Sequence, residues 1–293
     1  MLELILAERN RIFMKYIIIA LLAFSLQANS QIVQYQKQDS VQIVRWLQDG
    51  LKQNKQHNMM LYFARELKGI PYVSKTLDVY PTERLVINTR QLDCTTFVEN
   101  VLALYLCHKN KQNTFEDFCT FLRKIRYHNG QVSYETRLHY LTQWLESNSD
   151  CGNIKEVNDI KPPFKAIKKL NLYYMTTHPL FYPNLKNHKS LILKIKEIEK
   201  QLSGKNISYI PKNMTNNNDY LRQVIKDGDI IALVTNKPGL DFAHVGIAVW
   251  SNNGLHLINA SSIHHRVIED GNSLYRYLLQ QRSQVGIKPY RVN

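Results

Sequence analysis

Glycine and proline are scarce in this chain, 11 and 9 residues out of 293. That is too little for long flexible linkers, a collagen-like repeat or a low-complexity tail. Cysteine is scarcer still: Cys94, Cys107, Cys119 and Cys151 are even in number but far too sparse for a disulfide scaffold. Acidic side chains are in deficit, 24 against 38 Lys and Arg, which gives a net charge of +14 and a pI near 9.5. No internal repeat is visible, and no apolar run reaches the roughly 20 residues that a transmembrane helix needs. What is present, 44% hydrophobic and 21% charged residues, suits one globular unit with a sizeable core. The basicity alone admits nucleic acid, an anionic surface or an acidic small substrate as partner.

Compartment narrows that choice. The apolar run Ile17 to Leu26 follows Met14-Lys15 and ends in Gln27-Ala28-Asn29-Ser30, with small residues at −3 and −1 of a cleavage before Gln31. This reads as a secretory signal peptide, and a retained anchor is the weaker reading. Met14 is the better start, because residues 1–13 carry Glu3, Glu8, Arg9 and Arg11 ahead of what should be a short basic segment. Removal of residues 1–30 takes three cations and two acids and leaves a mature chain 31–293 of net +13. The expected location is therefore periplasmic or secreted, with no stable membrane insertion and nucleic acid an unlikely partner. Cys107 and Cys119 could pair there, although buried free thiols are the simpler reading.

From about Ser40 to Trp144 apolar residues recur at helical spacing, as in Ile43-Val44-Trp46-Leu47-Leu51 and Phe97-Val98-Val101-Leu102-Tyr105. Residues 155–213 hold 12 lysines against four acids, with Pro162, Pro163, Pro179 and Pro183 before a helix at about 187–203. This stretch reads as a loop-rich basic insertion, either a solvated face or an attractor of an anionic substrate. After Gly228 come β-type runs, Asp229–Val234, Ala243–Trp250, Leu255–Ala260 and Val285–Val292, split by turn signals such as Asn252-Asn253-Gly254. Helices followed by an antiparallel sheet predict an α+β domain.

Cys94 opens an amphipathic helical pattern, with Asp93 placed as N-cap and Thr96 or Glu99 able to close a capping box. A sulfur at a helix N-terminus is favoured as thiolate, although a structural thiol after a capping Asp fits the same residues. In Asp241-Phe242-Ala243-His244-Val245-Gly246-Ile247-Ala248-Val249, strand alternation puts His244, Gly246 and Ala248 on one face. A hairpin turn at Asn252-Asn253 or Asn253-Gly254 pairs Asn259 with Gly246 or Ala248. Either register puts Asn259 on the His244 face, displaced along the strand by roughly 7 to 14 Å, and only the shorter allows direct contact. Thiol, imidazole and amide are the parts of a Cys-His-Asn nucleophilic triad.

The sequence resembles the N-acetylmuramoyl-L-alanine amidase-like family of NlpC-type, papain-like cysteine hydrolases over about residues 58–292. The resemblance rests on seven blocks in the family's order: Gly69-Ile70-Pro71-Tyr72-Val73, Leu92-Asp93-Cys94-Thr95-Thr96-Phe97-Val98-Glu99, Arg137-Leu138-His139-Tyr140, Met175-Thr176-Thr177-His178, Tyr209-Ile210-Pro211-Lys212, Gly228-Asp229-Ile230-Ile231-Ala232 and Gly239-Leu240-Asp241-Phe242-Ala243-His244-Val245-Gly246. It implies a papain-like fold, Cys94 as nucleophile, His244 as base and Asn259 as third member. It also implies a muropeptide or peptidoglycan fragment as partner, cut between the lactyl group and L-alanine, with anhydro-muropeptides preferred. The sequence departs from the family at Asn259-Ala260-Ser261, where the usual motif reads His-Ala-Ser, and at Ser74-Lys75, where many relatives have a Gly pair.

With that resemblance, Tyr72 becomes a candidate oxyanion donor or substrate contact. Arg137 is a candidate clamp for a stem-peptide carboxylate, and Tyr140, Asp93, Thr95 and His178 are further candidate contacts. Without the resemblance a surface Arg137 beside a buried Tyr140 is the simpler reading; with it both lean towards substrate contact, while a loop role suits His178 before Pro179 and capping already accounts for Asp93. His264 and His265 are adjacent and would point to opposite faces of a strand, and no zinc-ligand cluster stands out. No cofactor and a monomeric chain are expected. Two alternatives stay open: an NlpC-type endopeptidase cutting within the stem peptide, and a catalytically silent wall-binding protein.

Overall fold

The computed structural model describes residues 33–53, 56–158 and 160–293. The leader and signal-peptide reading falls on residues 1–30 and lies outside the described residues. Helices dominate the first half: α1 (Lys37–Leu51), α2 (Met59–Glu66), α3 (Cys94–Lys109), α4 (Phe115–Arg126) and α5 (Leu141–Asp150). Two short strands, β1 (Val33–Gln34) and β2 (Leu85–Val86), pair in parallel beside them. In α1 the apolar spacing buries Ile43, Trp46 and Leu47 and leaves Leu51 exposed at the end.

Helix α3 differs from its sequence reading. The pattern predicts an amphipathic helix, yet Phe97, Val98, Val101, Leu102, Ala103 and Leu104 are all buried, together with the polar Thr96, Glu99 and Asn100. It is enclosed because α1, α2 and α4 pack on it from one side and the sheet from the other. Full burial of each Val, Leu or Phe side chain stabilises by about 1.5–3 kcal/mol, which makes this helix a principal anchor of the core. Glu99 is not part of the N-terminal cap; it is buried and accepts from Arg126 Nε at 2.7 Å.

The remaining elements are β3 (Ile154–Glu156), β4 (Ala166–Lys169), α6 (Tyr174–Thr177), α7 (Lys189–Leu202), β5 (Asn206–Pro211), α8 (Asn218–Val224), β6 (Ile230–Thr235), β7 (Phe242–Ser251), β8 (Gly254–Ser261), β9 (Arg266–Glu269), α9 (Leu274–Gln280) and β10 (Gln284–Val292). The sheet has eight strands in the order β4-β5-β10-β6-β7-β8-β9, with β3 also on β10, and its pairings are antiparallel. Alternation along β6 sorts its residues between two cores. Ile230, Ala232 and Val234 join the cluster around α3, while Ile231 and Leu233 join one with Leu221, Leu274 and Leu278 on the other face. The α+β reading and the four strand assignments therefore agree with the architecture.

The 155–213 stretch is more ordered than its composition implies. Strands β4 and β5 extend the sheet, and α6 and α7 lie between them. Some of its lysines are structural: Lys168 Nζ donates to the carbonyls of Thr235, Leu240 at 2.9 Å and Asp241 at 3.4 Å, bracing the turn that leads into β7. Among the described residues no helix is long and apolar enough to cross a membrane.

Candidate active site

Cys94 is the first residue of α3, and two features fix it there. Leu92 N–H donates to the Pro71 carbonyl at 3.0 Å and Val73 N–H donates to the Leu92 carbonyl at 3.0 Å, so the Pro71-Tyr72-Val73 strap holds the chain just before the helix. A reciprocal cap follows: Thr96 N–H donates to Asp93 Oδ1 at 2.8 Å and Asp93 N–H donates to Thr96 Oγ1 at 2.9 Å. The cap uses Thr96 and satisfies a backbone donor that the helix itself cannot.

His244 enters from β7 and Asn259 from β8. The hairpin pairs Ser251 with Gly254, Ala248 with Leu257 and Ile247 with Ile258, so its two-residue turn is Asn252-Asn253. Continued one step, this register sets Asn259 opposite Gly246, the shorter of the two alternatives. Glycine is needed there: a Cβ at Gly246 would lie 3.0 Å from the Ile258 carbonyl oxygen and 3.1 Å from the Asn259 Cβ. The outcome is a contact of 3.0 Å between His244 Nε2 and Asn259 Oδ1, with Asn259 buried. An amide oxygen only accepts, so this nitrogen carries the proton and Nδ1 is left with its lone pair.

Cys94, Thr95 and His244 line one cleft of about 170 Å³, walled by Tyr140, Met175, Tyr182 and the turn Leu240–Ala243. Among the described residues no lysine or arginine lines it. The described lysines and arginines thus stand outside this cleft. Burial, with Asp93 adding to it, pushes the Cys94 thiol up to about 12. Burial also lowers His244, against the raising effects of the Asn259 contact and of Asp93. Both shifts favour neutral forms, so thiol and imidazole replace the resting thiolate that the helix terminus alone predicts.

The chain matches the family model described as N-acetylmuramoyl-L-alanine amidase-like over residues 62–287. It belongs to that family. A Bacteroides uniformis structure named an N-acetylmuramoyl-L-alanine amidase is 37% identical, covers 84% of this chain and 99% of its own, and has a TM-score of 0.75. A Bacteroides fragilis structure, provisionally named a xylanase, is 40% identical over 79% of this chain and 100% of its own, with a TM-score of 0.74. A Legionella pneumophila structure at 24% identity, covering 87% of this chain and 95% of its own, shares the fold with a TM-score of 0.68. No curated protein matches the chain.

The other candidate residues of this amidase-like chain divide by placement. Thr95 lines the cleft and Asp93 caps the helix beneath it. Tyr72 lies close enough for Cys94 and Asp93 to add to the burial that pushes its hydroxyl up to about 12, so it is a protonated donor at neutral pH. Tyr140 gives the cleft its ring, while its hydroxyl donates to Glu199 at 2.7 Å. Arg137 does not stand free to clamp a carboxylate. It is buried and paired with Asp78 and with Glu83, the latter at 3.5 Å. Those acids are brought from a distant loop, so the sequence around Arg137 gives no sign of them. His178 is stacked between Tyr174 and Phe181, with centroids 4.3 and 5.6 Å away, and is not among the lining residues. Two contributors escape a sequence reading: Tyr182, which lines the cleft, and Asp241, whose Oδ2 accepts from Thr142 N at 2.7 Å and caps α5 from across the chain.

Proposed function

We propose that this chain is a cysteine-dependent N-acetylmuramoyl-L-alanine amidase of the NlpC-type, papain-like kind, acting on muropeptides and above all on anhydro-muropeptide fragments. The observation that carries the reading is the 3.0 Å His244–Asn259 contact beside a cleft that Cys94 and His244 both line. In the proposed reaction His244 Nδ1 takes the Cys94 proton as sulfur attacks the lactyl carbonyl. The backbone N–H of Cys94, at a helix position with no intrahelical acceptor, and the Tyr72 hydroxyl stabilise the resulting oxyanion. Collapse breaks the amide bond, and the imidazolium delivers its proton to the leaving L-alanine nitrogen. Water, deprotonated by His244, then cleaves the thioester and frees the lactyl carboxylate and the thiol. Two neutral resting partners suit this sequence, because charge separates only during attack.

A lining without lysine or arginine among the described residues, and with the Asp241 carboxylate in it, favours the lactyl-alanine junction over a cut deep among the stem carboxylates. Glycoside hydrolysis is not supported: it ordinarily needs two carboxyl groups flanking the bond, and Asp241 is the only carboxylate among the described lining residues. Its oxygens already accept from Thr142 and Phe242 backbone N–H groups. The reading includes export of the mature chain 31–293 to the periplasm or medium, and action as a monomer. The test is mass spectrometry of products from anhydro-muropeptides and from intact wall, with Cys94→Ala in parallel. Release of a free stem peptide beginning with L-alanine, lost in Cys94→Ala, is the expected result. A cut inside the peptide makes it an endopeptidase, and full activity in Cys94→Ala ends the thiol mechanism.

A further inference from the structure

One buried acid lies behind the cleft wall and faces no substrate. Glu199, on α7, is 3% exposed. Its Oε1 accepts from Tyr140 Oη at 2.7 Å, Met175 N at 3.0 Å and Thr176 N at 3.1 Å, and Oε2 accepts from the Thr176 hydroxyl. These donors are neutral and belong to two separate segments, the start of α5 and the single turn of α6. Tyr140 and Met175 both line the cleft beside Cys94, whereas Glu199 does not. A four-residue helix has no stability of its own. Its place is set by what its first N–H groups meet: Tyr174 N–H donates to the Gly239 carbonyl at 3.3 Å, Met175 N–H is shared between Glu199 and the Tyr140 hydroxyl, the latter at 3.2 Å, and Thr176 N–H donates to Glu199, the carboxylate that also holds the opposing tyrosine.

We propose that Glu199 is a positioning residue that fixes the spacing of Tyr140 and Met175 and so sets the shape of the substrate-binding wall, without taking part in the thiol chemistry. This rests on the amidase reading for its substrate but not for its geometry. Four hydrogen bonds converging on one buried charged group resist displacement more than neutral ones would. Removal of that group leaves α6 held only through Tyr174 on the Gly239 carbonyl and Met175 on the Tyr140 hydroxyl, and takes the acceptor from Thr176 N–H. The wall then loosens while Cys94, His244 and Asn259, which stand on α3, β7 and β8, keep their places.

The experiment compares wild type, Glu199→Ala, Glu199→Gln and Tyr140→Phe in two assays. In steady-state cleavage of anhydro-muropeptide, Glu199→Ala is expected to raise KM about tenfold or more with kcat within about threefold. Glu199→Gln, which keeps a carbonyl oxygen for the Met175 and Thr176 N–H groups, should restore KM to within about threefold. The second assay needs no substrate: alkylation at Cys94, followed on its own peptide by mass spectrometry, with iodoacetamide and with the bulkier N-phenylmaleimide. The ratio of the two rates should change about threefold or more in Glu199→Ala, while the iodoacetamide rate holds. An unchanged KM and an unchanged reagent ratio would overturn the proposal, as would an equal fall in both alkylation rates. Should Glu199→Ala fail to fold, Tyr140→Phe decides: a KM raised about threefold or more supports the role and an unchanged one removes it. If the wild type cleaves no muropeptide, the amidase reading fails, and the reagent ratio still decides the role of Glu199.

Discussion

Asn259 stands where the family's usual motif carries histidine, and its 3.0 Å contact with His244 Nε2 shows that an amide can fill that position geometrically. An amide holds the imidazole tautomer but adds no charge to steady the imidazolium of the proposed reaction. Asn259→Ala should therefore lower kcat by about ten- to a thousandfold with KM little changed, and Asn259→His should recover much of the rate. Initial rates across substrate concentration check this; an unaltered kcat in Asn259→Ala would take it out of the proposed triad. The same residue shows what was legible. Its type, its face and its two allowed registers follow from strand alternation and a short turn. The choice between registers needs the pairing of Ser251 with Gly254. Arg137 shows the opposite case: its residue type suggested a carboxylate clamp, and the carboxylates it holds are the chain's own, Asp78 lying 59 positions away.

At the scale of the element, the start of α3 joins stability to chemistry through Asp93. As cap it accepts from Thr96 N–H, and as a charge it adds to the burial that raises the Cys94 thiol to about 12. The two roles separate by substitution. Asp93→Ala loses both and should destabilise the fold by about 1 kcal/mol. Asp93→Asn keeps the cap and removes the charge, so stability should stay within about 0.5 kcal/mol of wild type. In that variant the thiol should titrate at lower pH, since one of the causes raising it is gone. Chemical denaturation and the pH profile of Cys94 alkylation check the pair, and an unmoved profile in Asp93→Asn would show that burial alone sets the thiol. Helix α3 also shows why periodicity misleads for a central helix. An amphipathic pattern describes one covered face, whereas this helix is covered by helices and sheet together.

Across the whole molecule, charge falls into two populations of very different weight. Arg126 and Glu99 are buried, 2.7 Å apart, and Arg126 also donates to the Val86 carbonyl at 2.6 Å. Lys205 and Glu146 are likewise 2.7 Å apart but exposed. Glu99→Gln leaves a guanidinium buried without its counter-charge and should cost about 3–5 kcal/mol. Glu146→Gln should cost about 0–1 kcal/mol and less in high salt. Urea unfolding of the two variants at low and high salt tests the contrast; equal losses would mean that burial does not govern these pairs. The same contrast bears on the excess of lysine and arginine. With none of the described lysines and arginines lining the cleft, the basic surface would act on the proposed anionic substrate only at a distance, within a screening length of about 8 Å at physiological salt.

The sequence by itself determined the α+β class, the four strands after Gly228, the helix start at Cys94 and the common strand face of His244 and Asn259. These depend on local period, capping chemistry and turn type, which act over a few residues and are written in neighbouring positions. Tertiary structure alone decided the hairpin register, the burial that keeps thiol and imidazole neutral, the enclosure of α3 and the diversion of Arg137 into ion pairs. It alone brought Glu199 from a lysine-rich stretch to the back of the cleft wall. Each of these depends on groups far apart in the chain meeting in the folded state, and no local pattern encodes which distant partner arrives.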